Sequence, residues 1–289
     1  MAASNPNSWR SLLFIPAVAE RFVAKAHTRG ADVIILDLED SIPPSEKDAA
    51  RAALPGAAKT IAAHGQEICV RINRPLELAV PDIAAAIMPE VSSLMLPKVM
   101  GSDHIKLLSE VVAAREAALG MRIGHTRFIG VVETPDALPA LHAIALADPR
   151  MAALGVGSED LSTELEAVPG ADSLYVYGMM AVAAARAARI LPLGSIGVFA
   201  DFSDLDAYRA SLRRSRALGF GCAACIHPAQ VAVVNDEYGP APAEVERARR
   251  LIAAFDVALA EGKGAVAFEG AMIDLPVVER ARRLLGRAR

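Results

Sequence analysis

Aromatic residues, cysteines and long apolar runs are scarce in this sequence of 289 residues, and each scarcity excludes a class of protein. The longest apolar runs fall far short of the about 20 residues that a membrane-spanning helix needs. The net charge is −4, from 30 basic and 34 acidic residues, which argues against nucleic acid as the main partner. Residues 1–8 lack the charged start and apolar block of a signal peptide, so we expect a cytoplasmic protein.

The three cysteines are Cys69, Cys222 and Cys225. Cys222 and Cys225 have the spacing of half a zinc site, but the sequence holds no second pair to complete it. We therefore predict that all three are buried strand residues in a reducing compartment, without a metal or redox role.

Aliphatic residues are abundant, since 53% of the chain is hydrophobic and only 4% is aromatic. Apolar stretches alternate with amphipathic ones, which predicts eight strands and eight helices. Strands that are apolar on both faces are typical of a (β/α)8 TIM barrel, an α/β fold of about 250 residues. We assign residues 1–260 to this barrel. Residues 261–289 follow a glycine-punctuated stretch and are predicted to form a C-terminal helical tail that acts as a lid or a swapped arm.

The most informative stretch is the end of the predicted fifth strand, where an apolar run is followed by Glu133, Thr134 and Pro135. Pro135 suits the first turn of a helix, so Glu133 lies where a strand passes into a helix. The predicted sixth strand is followed by Asp160. A bare carboxylate at such a place is costly unless it is paired or binds a cation. Two neighbouring strand ends that carry acids therefore predict a Mg²⁺ site.

Further polar residues follow the other predicted strands, and in a barrel those strand ends meet at one face, where active sites form. The complete set is Asp37, Glu39, Asp40, Arg71, Asn73, Lys98, Glu133, Asp160 and His227. The alternative is a purely structural network in which Glu133 and Asp160 pair with Arg71 or Lys98. The helix after the second strand carries Lys47 and Arg51, which we place on its outer side.

Several motifs together resemble those of the HpcH/HpaI aldolase and citrate lyase β-subunit family, especially its stand-alone CoA-thioester lyases. They span nearly the whole chain in the family's order. They are Arg10-Ser-Leu-Leu-Phe-Ile-Pro16, Asp37-Leu-Glu-Asp40 with Lys47 and Arg51, Val70-Arg-Ile-Asn73, Leu96-Pro-Lys98, Val132-Glu-Thr134, Gly157-Ser-Glu-Asp160, Ile226-His-Pro-Ala-Gln230 and Gly270-Ala-Met-Ile-Asp274. Two loops depart from the family pattern, at 16–20 and at 196–197.

This resemblance implies a TIM barrel that uses Mg²⁺ to cleave or form a carbon–carbon bond. It implies that Glu133 and Asp160 are the metal ligands and that Arg71 holds a substrate carboxylate or carbonyl oxygen. It also implies that Asp37, Glu39 and Asp40 orient metal-bound waters. In the CoA lyases of the family the acid of the tail motif reaches a neighbouring subunit's site, and here that acid is Asp274. A simpler reading of Asp274 is that it caps the last helix.

The resemblance implies a β-hydroxyacyl-CoA substrate such as malyl-CoA or citramalyl-CoA, and a homotrimer or hexamer. A helix predicted over residues 20–29 places Arg21 and Lys25 four apart on one face, and we assign them to CoA binding. The alternative is a solvated basic helix face. At the level of function, the alternatives are a CoA-independent pyruvate-type aldolase, an acyl-CoA thioesterase and a non-catalytic acyl-CoA-binding barrel.

Overall fold

Parallel strands and surrounding helices build a nearly closed barrel, as the sequence predicts. The computed structural model describes residues 8–168, 171–197 and 204–288. The strands are β1 (Ser11–Pro16), β2 (Val33–Asp37), β3 (Glu67–Arg71), β4 (Ser93–Leu96), β5 (Arg127–Val132), β6 (Met151–Val156), β7 (Leu191–Leu193), β8 (Ala223–Cys225), β9 (Ala265–Phe268) and β10 (Ala271–Asp274). The α-helices are α1 (Glu20–Val23), α2 (Lys47–Ala62), α3 (Leu76–Ala86), α4 (Ser102–Ala118), α5 (Leu141–Ala145), α6 (Ser158–Glu164), α7 (Ala171–Ala187), α8 (Leu205–Leu218), α9 (Pro228–Tyr238), α10 (Pro242–Ala260) and α11 (Leu275–Leu285).

The first eight strands pair in parallel, each with its neighbour along the chain from β1 to β7, and β8 pairs with β1. The ring closes between β7 and β8 through a bridge of Leu193 and Cys222, where the N–H of Gly194 donates to the carbonyl of Cys222 at 2.9 Å. Parallel strands place all their carboxyl ends at one face of the barrel, so the residues that follow each strand converge there.

The barrel interior holds a cluster of buried apolar side chains from the strands, and Trp9 belongs to the same cluster. Cys69, Cys222 and Cys225 are free thiols and fully buried, which confirms their predicted burial. No helix among the described residues is both long and apolar enough to cross a membrane.

A buried ion pair stabilises the side of the barrel away from the site. Glu116 of α4 accepts two hydrogen bonds from Arg150, at 2.9 and 2.7 Å, and two more from the backbone N–H groups of Gly124 and Thr126. These donors keep the pKa of Glu116 at about 2 although its carboxylate is buried. The pair joins α4 to the start of β6.

The chain forms two compact units, divided between Asn235 and Asp236. In the second unit the antiparallel strands β9 and β10 and the helices α10 and α11 share an apolar cluster that includes Phe255, Ile273 and Val278. The sequence predicts a barrel that includes residues 242–260 and a tail that begins at residue 261. The structure instead packs α10 against α11, because its apolar face is buried by the C-terminal segment. The role of residues 261–289 as a lid or swapped arm stays a prediction.

Candidate active site

Glu133 lies directly after β5 and is buried, with 6% of its surface exposed. Its Oε2 accepts a hydrogen bond from the backbone N–H of Lys98 at 2.6 Å. Gly157 makes room for the carboxyl group, because a Cβ at this position would lie 2.5 Å from the Glu133 Cγ. Burial raises the pKa of Glu133 to about 7, and the neighbouring carboxylates of Glu39 and Asp160 add to that rise.

Asp160 is in the first turn of α6, on the strand–helix connection next to that of Glu133. Its side chain is partly exposed, and its Oδ1 lies 3.7 Å from the Nζ of Lys98. The structure therefore brings Glu133 and Asp160 to the same region, as the sequence predicts, and Lys98 contacts both residues.

Lys98 is a residue whose importance the sequence analysis understated. It has a φ of 47°, which is rare for a residue other than glycine. Its ammonium group donates to Glu39 at 2.8 Å and lies 3.7 Å from Asp40. The sequence signal for a role of Lys98 at the site is its position directly after Pro97, where a strand ends and several acids follow the neighbouring strands.

Arg71, the last residue of β3, faces the acids of the β2 loop. Its Nε and Nη2 donate to the two carboxylate oxygens of Asp37, both at 2.7 Å, and its Nη1 lies 2.9 Å from the Oε2 of Glu39. Asp37 also accepts the N–H groups of Glu39 and Ser41, so each of its oxygens already has two donors. These donors and the charge of Arg71 hold the pKa of Asp37 below its usual value although burial opposes them. Asp37 thus orients Arg71.

A second network of hydrogen bonds and ion pairs, which the sequence does not predict, holds the loop after β2 in place. The buried Asp82 pairs with Arg51 at 2.6 Å and accepts two hydrogen bonds from Asn73. The ammonium group of Lys47 donates to the carbonyls of Leu38 and Glu39. Our placement of Lys47 and Arg51 on the outer side of their helix was wrong, since both side chains turn inward to these loop groups.

A cavity of about 210 Å³ opens at this face of the barrel, with the charged residues Arg71, Glu133, Glu159 and Asp160 in its wall. Apolar side chains form most of the remaining wall. They include Phe14, Met95, Val131, Leu193 and Ile226. The Arg71 guanidinium lies over the Phe14 ring, 4.6 Å from its centroid.

The acids at this face outnumber the cations. Asp37, Glu39, Asp40, Glu133 and Asp160 lie close to the basic side chains of Arg71, Lys98 and Lys47, and Glu159 also lines the cavity. Residues 8–168, 171–197 and 204–288 contain no group of three or more His, Cys, Asp or Glu side chains arranged to hold a metal. A cation between two carboxylates would therefore take its other ligands from water or substrate oxygens, which suits Mg²⁺.

Three other predicted site residues, Arg21, Lys25 and Asp274, have exposed side chains. Arg21 and Lys25 are exposed, and the helix predicted over 20–29 is divided into α1 and a 3-10 segment, Ala26–Arg29. The two side chains therefore do not share one continuous helical face, and the prediction that they bind CoA loses that support. Asp274 is at the N-cap position of α11 and is exposed, and its side chain accepts no capping hydrogen bond from the described N–H groups of that helix.

Comparison with known proteins shows the family to which this chain belongs. The model of the HpcH/HpaI aldolase/citrate lyase family matches residues 10–228. The chain belongs to this family. The resemblance that the motifs carry is thereby confirmed, and the chain is an enzyme of the lyase class.

Curated relatives and solved structures match over nearly the full chain. The citrate lyase subunit beta of Leuconostoc mesenteroides subsp. cremoris is 30% identical over 98% of this chain and 94% of the relative. The L-malyl-CoA/beta-methylmalyl-CoA lyase of Cereibacter sphaeroides is 31% identical over 94% of this chain and 91% of the relative. The protein CitE of Mycobacterium tuberculosis, in complex with magnesium, acetoacetate and coenzyme A, has a TM-score of 0.77 and 30% identity, over 98% of this chain and 99% of CitE.

Proposed function

We propose that this enzyme is a Mg²⁺-dependent carbon–carbon lyase that cleaves a short β-hydroxyacyl-CoA, of the citramalyl-CoA or malyl-CoA type. The products are acetyl-CoA and a 2-oxo acid. The observation that carries the proposal is the pair of carboxylates, Glu133 and Asp160, beside Arg71 in the wall of one cavity. The cavity is smaller than the about 300–1,000 Å³ of typical ligand pockets, so only the reacting end of a long thioester would enter.

In this retro-aldol reaction the bond between the carbinol carbon and the thioester α-carbon breaks. Its electron pair passes to the thioester as an enolate, which takes up a proton to become acetyl-CoA. The carbinol oxygen loses its proton and becomes the carbonyl oxygen of the 2-oxo acid. The reaction therefore needs a group that accepts charge at the carbinol oxygen and an acid that reaches the α-carbon.

Arg71 is suited to the first need. Asp37 fixes the guanidinium through Nε and Nη2, and a guanidinium has five N–H donors. Nη1 lies 2.9 Å from Glu39 and 3.5 Å from Asp40, so the second N–H of Nη2 is the donor left for an oxygen of the oxo-acid fragment, and its geometry is set before the substrate arrives.

Glu133 and Asp160 would hold the Mg²⁺. The fit rests on the chemistry of the donors and on the raised pKa of Glu133, which marks a buried carboxylate without enough compensating charge. When bound, Mg²⁺ supplies Lewis acidity that lowers the pKa of the carbinol and polarises the emerging carbonyl. The related CitE is solved in complex with magnesium, which supports the use of Mg²⁺ by this enzyme.

Asp274 would exchange the proton with the α-carbon, delivered to the site of a neighbouring subunit. Its exposure and its lack of a capping bond from the described α11 backbone leave its carboxylate available for this role. The proposed assembly is a homotrimer or hexamer. Arg21 and Lys25 remain the proposed CoA contacts, as exposed basic groups near the end of β1.

The test is incubation with Mg²⁺ and citramalyl-CoA or malyl-CoA, with acetyl-CoA and the 2-oxo acid measured together. Equal amounts of both products are expected. Asp160→Asn should abolish them, whereas Glu164→Gln, a matched change at an exposed acid of the same helix, should not.

Other product patterns would identify the alternatives. Free CoA without a 2-oxo acid would indicate a thioesterase. Faster turnover of a CoA-free hydroxy-oxo acid would indicate a pyruvate-type aldolase. Tight binding of the thioesters without any product would indicate a binding protein.

A further inference from the structure

The cavity has a charged side and an apolar side. Two glycines at the end of β6, Gly155 and Gly157, show how these two sides are placed. A Cβ on Gly157 would meet Glu133, and a Cβ on Gly155 would meet the carbonyl oxygen of Leu193 at 2.6 Å and its Cβ at 3.1 Å. Gly155 is in β6, and Gly157 directly follows Val156, the last residue of β6. Leu193 and Glu133 therefore lie against positions two residues apart at the end of β6, and both line the cavity.

The glycines explain why space exists at this level of the barrel. Barrel interiors are normally filled by layers of side chains. Gly155 and Gly194 have none, and both line the cavity. Below them Leu193 and Met95 belong to the buried cluster of the barrel interior, and Val131 packs against it. The floor next to the carboxylates is therefore apolar and closely packed.

Positive charge is limited on the same walls. Among the described residues that line the cavity, Arg71 is the only basic one. The ammonium group of Lys98 is bound to Glu39. One carboxylate of a substrate can pair with Arg71, but a second carboxylate would meet the apolar floor.

From these observations we propose that Leu193, with Met95 and Val131, selects a substrate whose carbinol carbon carries a small alkyl group. The 2-oxo acid released is then a monocarboxylate such as pyruvate. In malyl-CoA a hydrogen replaces this methyl group, so the substrate makes no contact with the apolar floor of the cavity. A carboxymethyl group, as in citryl-CoA, brings an unpaired charge to it. This inference rests on the proposed lyase function and narrows its substrate class.

The first experiment compares kcat/KM for citramalyl-, malyl- and citryl-CoA with the same enzyme and Mg²⁺. One methyl group in an apolar pocket is worth about 10–200-fold, so citramalyl-CoA should exceed malyl-CoA by that factor. Citryl-CoA should be the poorest of the three. Equal or better cleavage of malyl-CoA or citryl-CoA would overturn the inference and leave the lyase function intact.

The second experiment does not depend on turnover. The affinities of free pyruvate, glyoxylate and freshly dissolved oxaloacetate are measured by calorimetry with Mg²⁺ present. Pyruvate should bind most tightly, and Glu133→Gln should remove that binding. Tighter binding of glyoxylate or oxaloacetate would overturn the inference even if every thioester were inert, an outcome that would also refute the lyase proposal.

Variants at Leu193 locate the selection. Leu193→Ala should weaken pyruvate binding and strengthen that of 2-oxo acids with longer alkyl chains, relative to the wild type. Leu193→Met, which nearly conserves volume, should restore the preference for pyruvate. Leu107→Ala, at a leucine that is 56% exposed, is the matched control and should change neither. An unchanged preference in folded Leu193→Ala would assign the selection elsewhere.

Discussion

Glu133→Gln should stabilise the metal-free enzyme at alkaline pH, although it removes a group proposed to be essential. The carboxyl group has a pKa of about 7 in the folded protein, against 4.5 for an ordinary Glu. Between these values the folded protein retains a proton that the unfolded chain has released. The free energy of unfolding therefore falls as pH rises through this window, and the full cost is reached above pH 7.

The magnitude follows from the size of that shift. Each pKa unit corresponds to about 1.4 kcal/mol, so ionised Glu133 costs about 3 kcal/mol at pH 8. Glutamine keeps the shape of the side chain, and its carbonyl can still accept the N–H of Lys98. We expect Glu133→Gln to raise the free energy of unfolding by up to about 3 kcal/mol at pH 8 and by almost nothing near pH 4.5.

Urea unfolding in the presence of EDTA, followed by tryptophan fluorescence, measures this difference. Trp9 is the only tryptophan and is buried in the barrel, so its emission reports on the unit that contains the site. Glu164→Gln is the control and should change stability at neither pH. A Glu133→Gln variant that is less stable at pH 8, or that gains equally at pH 5 and pH 8, would refute the reasoning.

The same variant tests the metal assignment. A cation that binds only the folded protein stabilises it by about 2.7 kcal/mol at 100 times its dissociation constant. Mg²⁺ should raise the stability of the wild type at pH 8 in this concentration-dependent way and should have little effect on Glu133→Gln. Equal stabilisation of both proteins would show that Glu133 is not a ligand.

Three further substitutions separate the functions of other residues. Asp37→Asn leaves Arg71 without its main partner and should lower kcat/KM about 10–100-fold, as loss of an orienting partner does in related settings. Glu116→Gln breaks the buried pair with Arg150 and should cost about 3–5 kcal/mol of stability, with activity per folded molecule retained. That contribution is present above about pH 4.5 and is lost as pH falls toward the depressed pKa of about 2. Gly157→Ala places a methyl group against the proposed ligand and should weaken Mg²⁺ binding in calorimetry while the fold persists.

Each of these has a matched control and an outcome that counts against it. Asp48→Asn changes an acid that is 97% exposed and should leave kcat/KM unaltered. Glu110→Gln changes an exposed acid of α4 and should cost less than about 0.5 kcal/mol. Gly56→Ala adds a methyl group with nothing within 4 Å and should not affect Mg²⁺ binding. A variant that behaves like its control would remove the role assigned to that residue.

The barrel and the convergence of its polar residues were predictable because parallel topology fixes where strand ends meet, whatever the side chains do. The direction of individual side chains was not. Lys47 and Arg51 were placed outward because a basic residue on an amphipathic helix is usually solvated, but buried carbonyls and Asp82 draw them inward. The helical pattern of residues 242–260 identifies a helix and not its partner, so the packing of α10 against α11 could not be predicted from it.

Lys98 shows why ion pairing and metal binding need not compete at this site. Its left-handed backbone directs its N–H to Glu133, and its ammonium group is shared with Glu39 and Asp40. Glu133 thus meets Lys98 through the backbone, and the ammonium group lies 3.7 Å from Asp160, longer than a direct hydrogen bond. Neither proposed ligand is held in a short contact with the ammonium group. Glu133 and Asp160 therefore keep carboxylate oxygens that a dication could bind, at a face where acids outnumber basic side chains.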